Sequence, residues 1–325
     1  MISCAKRIFH RRMTTMPEGG RQLHGLLLVD KPEGLTSAAV VACVKRTLKQ
    51  RKVGHLGTLD PFATGLLPVC IGEGTKLAPF LADDVKRYIG DIELGSTTDT
   101  MDRTGTIVEE RPIPPFSSAV LAAALHGLRG DILQTPPMYS ALKRDGVPLY
   151  RLARAGQIVE REPRPVRISC FDVARTAPDR LRFAITCSRG TYVRVLAHDL
   201  GRALGTVAHL ETLRRTACGP FEVTAAVRLE DLEGLAAEGR LPLLSPSAAL
   251  GGLRAIVVDE RTIGSLRRGQ QRALAALGRP HGAGENVRVA SRTGDLVAIA
   301  TATADGSAWQ LARVLVEDLA QSGAS

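Results

Sequence analysis

Gly54-His55-Leu56-Gly57-Thr58-Leu59-Asp60-Pro61-Phe62-Ala63-Thr64-Gly65-Leu66-Leu67 is the stretch from which the rest of the chain can be read. It sets one carboxylate and one imidazole among glycines in a segment expected to be an ordered loop. Asp60 stands between Leu59 and Pro61, with no charged neighbour in sequence. A carboxylate so placed is either a helix cap or a reagent. Asp followed by Pro is a frequent helix start, because the carboxylate accepts from free N–H groups and Pro fits the first helical position. Gly54, Gly57 and Gly65 weigh against a bare cap, since glycines at these spacings mark tight turns or the close approach of a ligand. The pattern is neither a dinucleotide fingerprint nor a P-loop: G-x-G-x-x-G and Gly-Lys-Ser/Thr are both missing from it.

On the N-terminal side, Leu26-Leu27-Leu28-Val29-Asp30 reads as a buried strand and Lys31-Pro32-Glu33-Gly34 as a turn. Thr36 or Ser37 caps a helix expected to run to about Gln50. Lys45, Arg46, Lys49, Arg51 and Lys52 form its basic tail, which suits the helix dipole and equally a phosphate. On the C-terminal side, a strand is expected at 67–71, a short helix at 75–81, and strands at 86–94 and 106–110 joined by a loop containing Asp99 and Asp102. A helix is expected at 117–128. Paired prolines make 134–143 irregular. From 143 to 167 seven Lys/Arg face three acids, beside Tyr139 and Tyr150. This reads as a solvated basic face or as an insertion turned to nucleic acid, cations for phosphates and aromatics for bases. Strands follow near 165–174 and 181–188. A turn through Gly190 then leads into a helix capped by Thr191, and Leu210 to Cys218 returns as a strand. Residues 244–252 read as a linker, and short strands at 287–290, 296–301 and 309–316 read as a separate small β-rich unit.

The chain has 325 residues and is 44% apolar, enough for two cores. No apolar run approaches the roughly 20 residues needed to span a bilayer. A net charge of +10 favours a polyanionic partner. The six cysteines form no C-x-x-C and the seven histidines show no ligand spacing. Neither a zinc site nor a disulfide framework is expected, in keeping with a reducing cytosol. Residues 1–22 are basic and read as a disordered extension, a transit-like peptide or an over-long start.

Four blocks in this order resemble the TruB family of tRNA pseudouridine synthases: Gly54 to Gly65; Lys86-Arg87-Tyr88; Pro137-Met138-Tyr139-Ser140-Ala141-Leu142-Lys143; and Cys187-Ser188-Arg189-Gly190-Thr191-Tyr192-Val193-Arg194 with Leu213-Arg214-Arg215. The resemblance spans about 24–220 and weakens beyond 250. It implies an α+β fold: a catalytic domain at 23–245 built on a mixed, largely antiparallel sheet flanked by helices, with an RNA-binding insertion at about 134–165. A small β-rich, PUA-like RNA-binding domain at 250–320 is implied by analogy.

The activity implied is isomerisation of the T-loop uridine at tRNA position 55 to pseudouridine. The N1–C1′ bond breaks, the uracil turns, C5 bonds to C1′ and the C5 proton leaves. By this resemblance Asp60 is the catalytic aspartate, ionised and close to the sugar, whether it adds to C1′ or abstracts a ribose proton. Breaking a glycosidic bond builds positive charge that a carboxylate can meet. Arg194 matches its guanidinium partner. Tyr88 matches the tyrosine that stacks on the flipped base, its hydroxyl assisting loss of the C5 proton. Leu213 matches an apolar pocket wall, and Tyr192 and Lys76 match positions near the pocket. His55 matches the residue that fills the gap left by the flipped base. Taken singly, each has a blander reading: a core leucine, a strand tyrosine, a surface helix arginine, a structural histidine.

The basic residues Lys45, Arg46, Lys49, Arg51, Lys52, Lys143, Arg144, Arg151 and Arg154 then become the RNA face. The resemblance implies no cofactor, no metal and no obligate protein partner: a cytoplasmic monomer acting on the tRNA T-arm, away from membranes. Two rivals stand beside it, a guide-RNA-dependent dyskerin-type relative and a catalytically silent RNA-binding or tRNA-folding protein.

Overall fold

The computed structural model describes residues 22–81 and 85–315. The expected basic extension at 1–22 lies outside the described residues except for Gln22, as do residues 316–320 of the expected C-terminal unit.

The main sheet has ten strands. Eight run edge to edge in the order Val227–Arg228, Gly25–Lys31, Thr64–Ile71, Ala208–Cys218, Lys86–Leu94, Arg180–Cys187, Arg164–Ala177 and Gly130–Gln134. Two of these neighbour pairs are parallel and the rest antiparallel, so the sheet is mixed and largely antiparallel. The strand Gly25–Lys31 is apolar over residues 26–29, where both of its faces are covered. Leu27 and Val29 enter the larger core, whereas Leu26 and Leu28 enter a second one. Arg180–Cys187 alternates instead: Leu181, Phe183, Ile185 and Cys187 are buried, with Arg182 and Ala184 exposed between them. The helix Val193–Ala203 buries Val193, Leu196, Ala197 and Leu200, an i, i+3, i+4, i+7 stripe, against the same core.

The sheet forks beside the Asp60 segment. The first residues of Thr64–Ile71 pair in parallel with Arg214 and Arg215. Its last residues pair in the opposite sense with the short strand Val53–His55. Residues 56–63 fill the gap between the prongs. At the crotch, Gly65 has φ +99°, and a Cβ there would lie 2.3 Å from the Arg215 carbonyl oxygen. Only glycine allows the two backbones to approach this closely.

Several sequence expectations change in detail. The first helix spans Ser37–Thr47 with Thr36 as its N-cap. It stops at Leu48, and Lys49 takes φ +52°, so Lys49, Arg51 and Lys52 lie beyond it. Thr191 does not cap the helix Val193–Ala203, because its hydroxyl is turned back to the Ser188 carbonyl at 3.0 Å. The insertion contains a hairpin, Lys143–Arg144 with Val147–Pro148, turned by Asp145 and Gly146 at φ +50° and +81°. Positive φ at both central residues is what an Asp-Gly hairpin turn requires. The short helix Leu149–Arg154 follows.

The C-terminal sheet has four strands, Arg254–Val257, Asn286–Ala290, Leu296–Ala302 and Trp309–Val314, and the first escaped the sequence reading. Residues 244–252 are not a free linker. Leu244 exchanges both backbone bonds with Leu26 at 2.9 Å, and Ala249 and Leu250 are buried. Leu296, Ile299 and Leu315 share the second core with Leu26, Leu56, Leu66 and Cys70 of the main sheet region.

Candidate active site

No helix starts at Pro61. The local bond is a turn, from the Ala63 N–H to the Asp60 carbonyl at 3.1 Å. The backbone on each side of Asp60 is held from a distance. The Ser37 hydroxyl accepts from the Leu59 N–H at 2.9 Å and donates to the Leu59 carbonyl at 3.1 Å. The Pro61 carbonyl accepts from the Gly34 N–H at 2.8 Å and from Lys31 Nζ at 3.1 Å. Lys31 is fully buried, and its ammonium also donates to the carbonyls of Leu35 and Pro32 at 2.7 and 3.0 Å. Burial brings its pKa down to about 8, while the charges of Asp60 and Glu33 pull it back up.

The Asp60 carboxylate faces Arg194 in a two-point pair, with Nε to Oδ2 at 2.9 Å and Nη2 to Oδ1 at 3.3 Å. Arg194 is 3% exposed. Its remaining donors meet the Thr100 carbonyl at 2.7 Å and the Tyr139 carbonyl at 2.8 Å, and Nη1 lies 3.5 Å from Asp102 Oδ2. One guanidinium therefore ties together the Asp60 loop, the 99–102 loop and the insertion. A planar fork of donors suits this better than a point charge. Asp102 is fixed in turn: its Oδ1 accepts from the Thr100 hydroxyl and from both the N–H and the hydroxyl of Thr104.

Removal from water pushes the Asp60 pKa above the ordinary carboxylate value. Arg194 is the largest opposing influence, the Asp102 charge adds to the rise, and Lys31 opposes it. Arg194 thus limits the rise without cancelling it, and a third of the Asp60 side chain remains open to solvent.

That open part faces a cavity of about 370 Å³ lined by Asp60, Tyr88, Tyr192, Arg194, Leu213 and Arg215, with Ser140, Ala141 and Leu142 of the insertion along one side. The size is at the small end for ligand pockets, suited to one nucleoside. A wider, open concavity of about 740 Å³ includes Ile89, Arg182 and Arg214 but neither Asp60 nor Arg194.

Tyr88 sits opposite Arg215 in the strand ladder. Burial raises its pKa, opposed first by the charge of the Arg215 guanidinium. Tyr192 immediately precedes its helix and is clamped by Gln134, which accepts from its N–H at 2.7 Å and donates to its carbonyl at 3.2 Å. Burial raises the Tyr192 pKa, eased by the charge of Arg194.

The structure therefore brings Asp60, Tyr88, Tyr192, Arg194 and Leu213 to one cavity. His55 lies just outside, on the strand before Leu56. Among the described residues its Nδ1 is buried without a partner, and burial, followed by Arg215, lowers its pKa, so the ring is neutral at neutral pH. Lys76 stands apart, which removes it from the pocket group. Its ammonium meets Glu73 at 2.5 Å and the Val314 carbonyl at 2.8 Å, joining the main body to the C-terminal sheet. The nine basic residues are all exposed, on the end of the first helix and its tail and on the hairpin and short helix of the insertion. Sequence reasoning assigned no role at this site to Lys31, Ser37, Thr100, Asp102, Gln134 or Arg215. The clustered polar run Thr97-Thr98-Asp99-Thr100-Met101-Asp102 was the available signal for two of them.

Glu93, His209 and Glu211 bring donor atoms within 4.8 Å of one another at the other end of the central strands. Arg180 lies 3.3 Å from Glu93, Arg103 lies 4.0 Å from Glu211, and His209 Nδ1 lies 3.0 Å from the Ser96 carbonyl oxygen. The group is balanced without an ion.

A family model described as TruB family pseudouridylate synthase (N terminal domain) matches residues 45–193, and one described as tRNA pseudouridylate synthase B C-terminal domain matches 194–245. The chain is 46% identical over 272 residues to tRNA pseudouridine synthase B of Geobacter sulfurreducens, covering 83% of this chain and 89% of that protein. It is 47% identical over 289 residues to the protein of that name from Aromatoleum aromaticum, covering 89% of each. Among solved structures, a chain of a Cbf5-Nop10-Gar1 complex superposes with a TM-score of 0.70 over 93% of this chain and 91% of that one. At 24% identity, this likeness is one of fold.

Proposed function

The chain belongs to the TruB family of pseudouridylate synthases, and from that premise we propose that it converts the T-loop uridine at tRNA position 55 to pseudouridine with Asp60 as the catalytic carboxylate. The observation that carries the reading is the Asp60–Arg194 pair at the wall of a nucleoside-sized cavity that also holds Tyr88. Uridine enters by flipping from its loop, which costs a few kcal/mol of unstacking. His55, beside the cavity, fills the vacated space.

Cleavage of N1–C1′ leaves positive character on the ribose, which the ionised Asp60 meets, either by adding to C1′ or by taking a ribose proton. Arg194 holds the carboxylate in line through two contacts, so little reorganisation is needed as charge develops. The uracil turns between Tyr88 and Leu213, C5 bonds to C1′, the C5 proton departs and N1 ends protonated. The product is an isomer of the substrate, so neither cofactor nor metal is required. Tyr88 supplies a stacking face. Its raised pKa keeps the phenol neutral at neutral pH, so its hydroxyl acts as a hydrogen-bonding group while the C5 proton leaves.

We assign residues 23–245 to catalysis, the 134–165 insertion and the 45–52 segment to phosphate contacts along the T-arm, and the region from 250 to a PUA-like RNA-binding unit. The protein acts as a cytoplasmic monomer on free tRNA. Incubating purified protein with an unmodified tRNA transcript and mapping pseudouridine tests this. Product confined to the T-loop uridine supports the reading. Product elsewhere, or activity only with a guide RNA and accessory proteins, overturns it.

A further inference from the structure

Arg215 has no part in the reaction sketched above, yet it is the most completely buried arginine near the cavity, at 1% exposure. It occupies the fork in the sheet. Its backbone runs beside Gly65, its Nε donates to the Leu66 carbonyl at 2.7 Å, and its Nη2 donates to the Gly57 carbonyl at 3.1 Å. One guanidinium thereby bridges the strand that leaves the catalytic loop and the turn that enters it. Across the ladder it faces Tyr88, and both residues line the cavity.

A guanidinium has donors only and keeps its charge. A phenol oxygen beside it must accept, and the phenol hydrogen is then directed away from the arginine. We propose that Arg215 is a positioning residue of the isomerisation, setting the spacing between the Asp60 loop and Tyr88 and holding the Tyr88 hydroxyl as an acceptor towards the guanidinium and a donor into the cavity. The consequence for rate rests on the function proposed above, whereas the pairing itself does not. The opposition of Arg215 to the effect of burial on Tyr88 agrees with such a pairing.

The test replaces Tyr88 by 3,5-difluorotyrosine, whose more acidic phenol brings ionisation into an accessible range, and follows it by ¹⁹F NMR against pH. Arg215→Gln is expected to move the ionisation upward by about one unit or more, the effect of losing a cation within a few ångströms. Arg215→Lys, which keeps the charge, moves it little. In unlabelled protein, Arg215→Lys lowers the single-turnover rate because an ammonium cannot span both carbonyls, and adding Tyr88→Phe lowers it less than it does in the wild-type background. An unmoved ionisation in folded Arg215→Gln overturns the proposal. If that variant does not fold, independent rate effects of Arg215→Lys and Tyr88→Phe overturn it instead. If the wild-type protein makes no pseudouridine yet Arg215→Gln moves the ionisation, the proposed function is refuted and the pairing stands.

Discussion

Arg194 and Arg215 are 3% and 1% exposed, and their donors reach named carbonyls and a carboxylate. Arg151 and Arg154 of the insertion stand in solvent, with the Arg154 Cζ 5.8 Å from the centre of the Tyr150 ring. The same side chain serves two ends. Around Asp60 it fixes geometry, since a buried cation must be satisfied at every donor and so locks whatever satisfies it. On the insertion, in the function proposed, it supplies charge to RNA, which requires that it be left free for that partner. The cavity should therefore be intolerant of small changes, and the insertion tolerant of large ones.

The sharpest break between the regions is Asp60→Asn. Single-turnover pseudouridine formation should fall by more than about a thousandfold, with the tRNA Kd within about twofold of wild type. A variant that keeps turning over would remove the carboxylate from the chemistry.

Next come two substitutions with opposite signatures. Asp60 has a raised pKa and in the proposed mechanism acts ionised, so activity should fall on acidification from a higher pH than an ordinary carboxylate would give. Arg194→Gln removes the largest lowering influence and should move that acid limb to still higher pH, with a loss of about a hundredfold at neutral pH. Asp102→Asn removes a raising charge and should move the limb to lower pH. Limbs that shift in the same direction in single-turnover pH profiles would show that Asp102 acts on Asp60 through something other than its charge.

Glycines in the two regions give a comparison of stability. Gly65→Ala places a Cβ 2.3 Å from the Arg215 carbonyl oxygen at φ +99°, whereas Gly146→Ala at φ +81° meets nothing within 4 Å. Strain and clash together should cost the first about 3 kcal/mol, and strain alone should cost the second about 1 kcal/mol, in urea unfolding. Equal losses would erase the contrast.

The smallest effect is expected for Arg151→Ala with Arg154→Ala. Each lost phosphate contact should reduce the slope of log Kd against log salt by roughly 0.7 to 0.9, leaving the saturated single-turnover rate unchanged. An unaltered slope would take these residues off the RNA face.

Much of the scaffold was legible because its signals are local. The apolar run 26–29, the alternation through 181–187 and the Thr36 cap are all contained within a few residues of sequence. The gathering of Asp60, Tyr88 and Arg194 was legible only as blocks in order. The grip on them was not, because its partners lie far apart: Arg194 reaches Thr100 across 94 residues and Arg215 reaches Gly57 across 158. Lys31 read as a turn residue, since nothing beside it in sequence announces the Pro61 carbonyl above it. Lys76 shows the opposite failure, a position in the right neighbourhood whose ammonium points to the C-terminal sheet. Arg254–Val257 was missed because a four-residue edge strand with two exposed positions carries almost no pattern.

The C-terminal sheet does not hang from the body as a separate bead. Leu296, Ile299 and Leu315 lie in one core with Leu26, Leu66, Leu81 and Cys218, and Leu56 of that core adjoins the turn that carries Asp60. A chain cut after residue 250 would bare this oily floor to solvent. Its first failing would be in the test tube, as clumping and poor yield, before any assay of catalysis could be run.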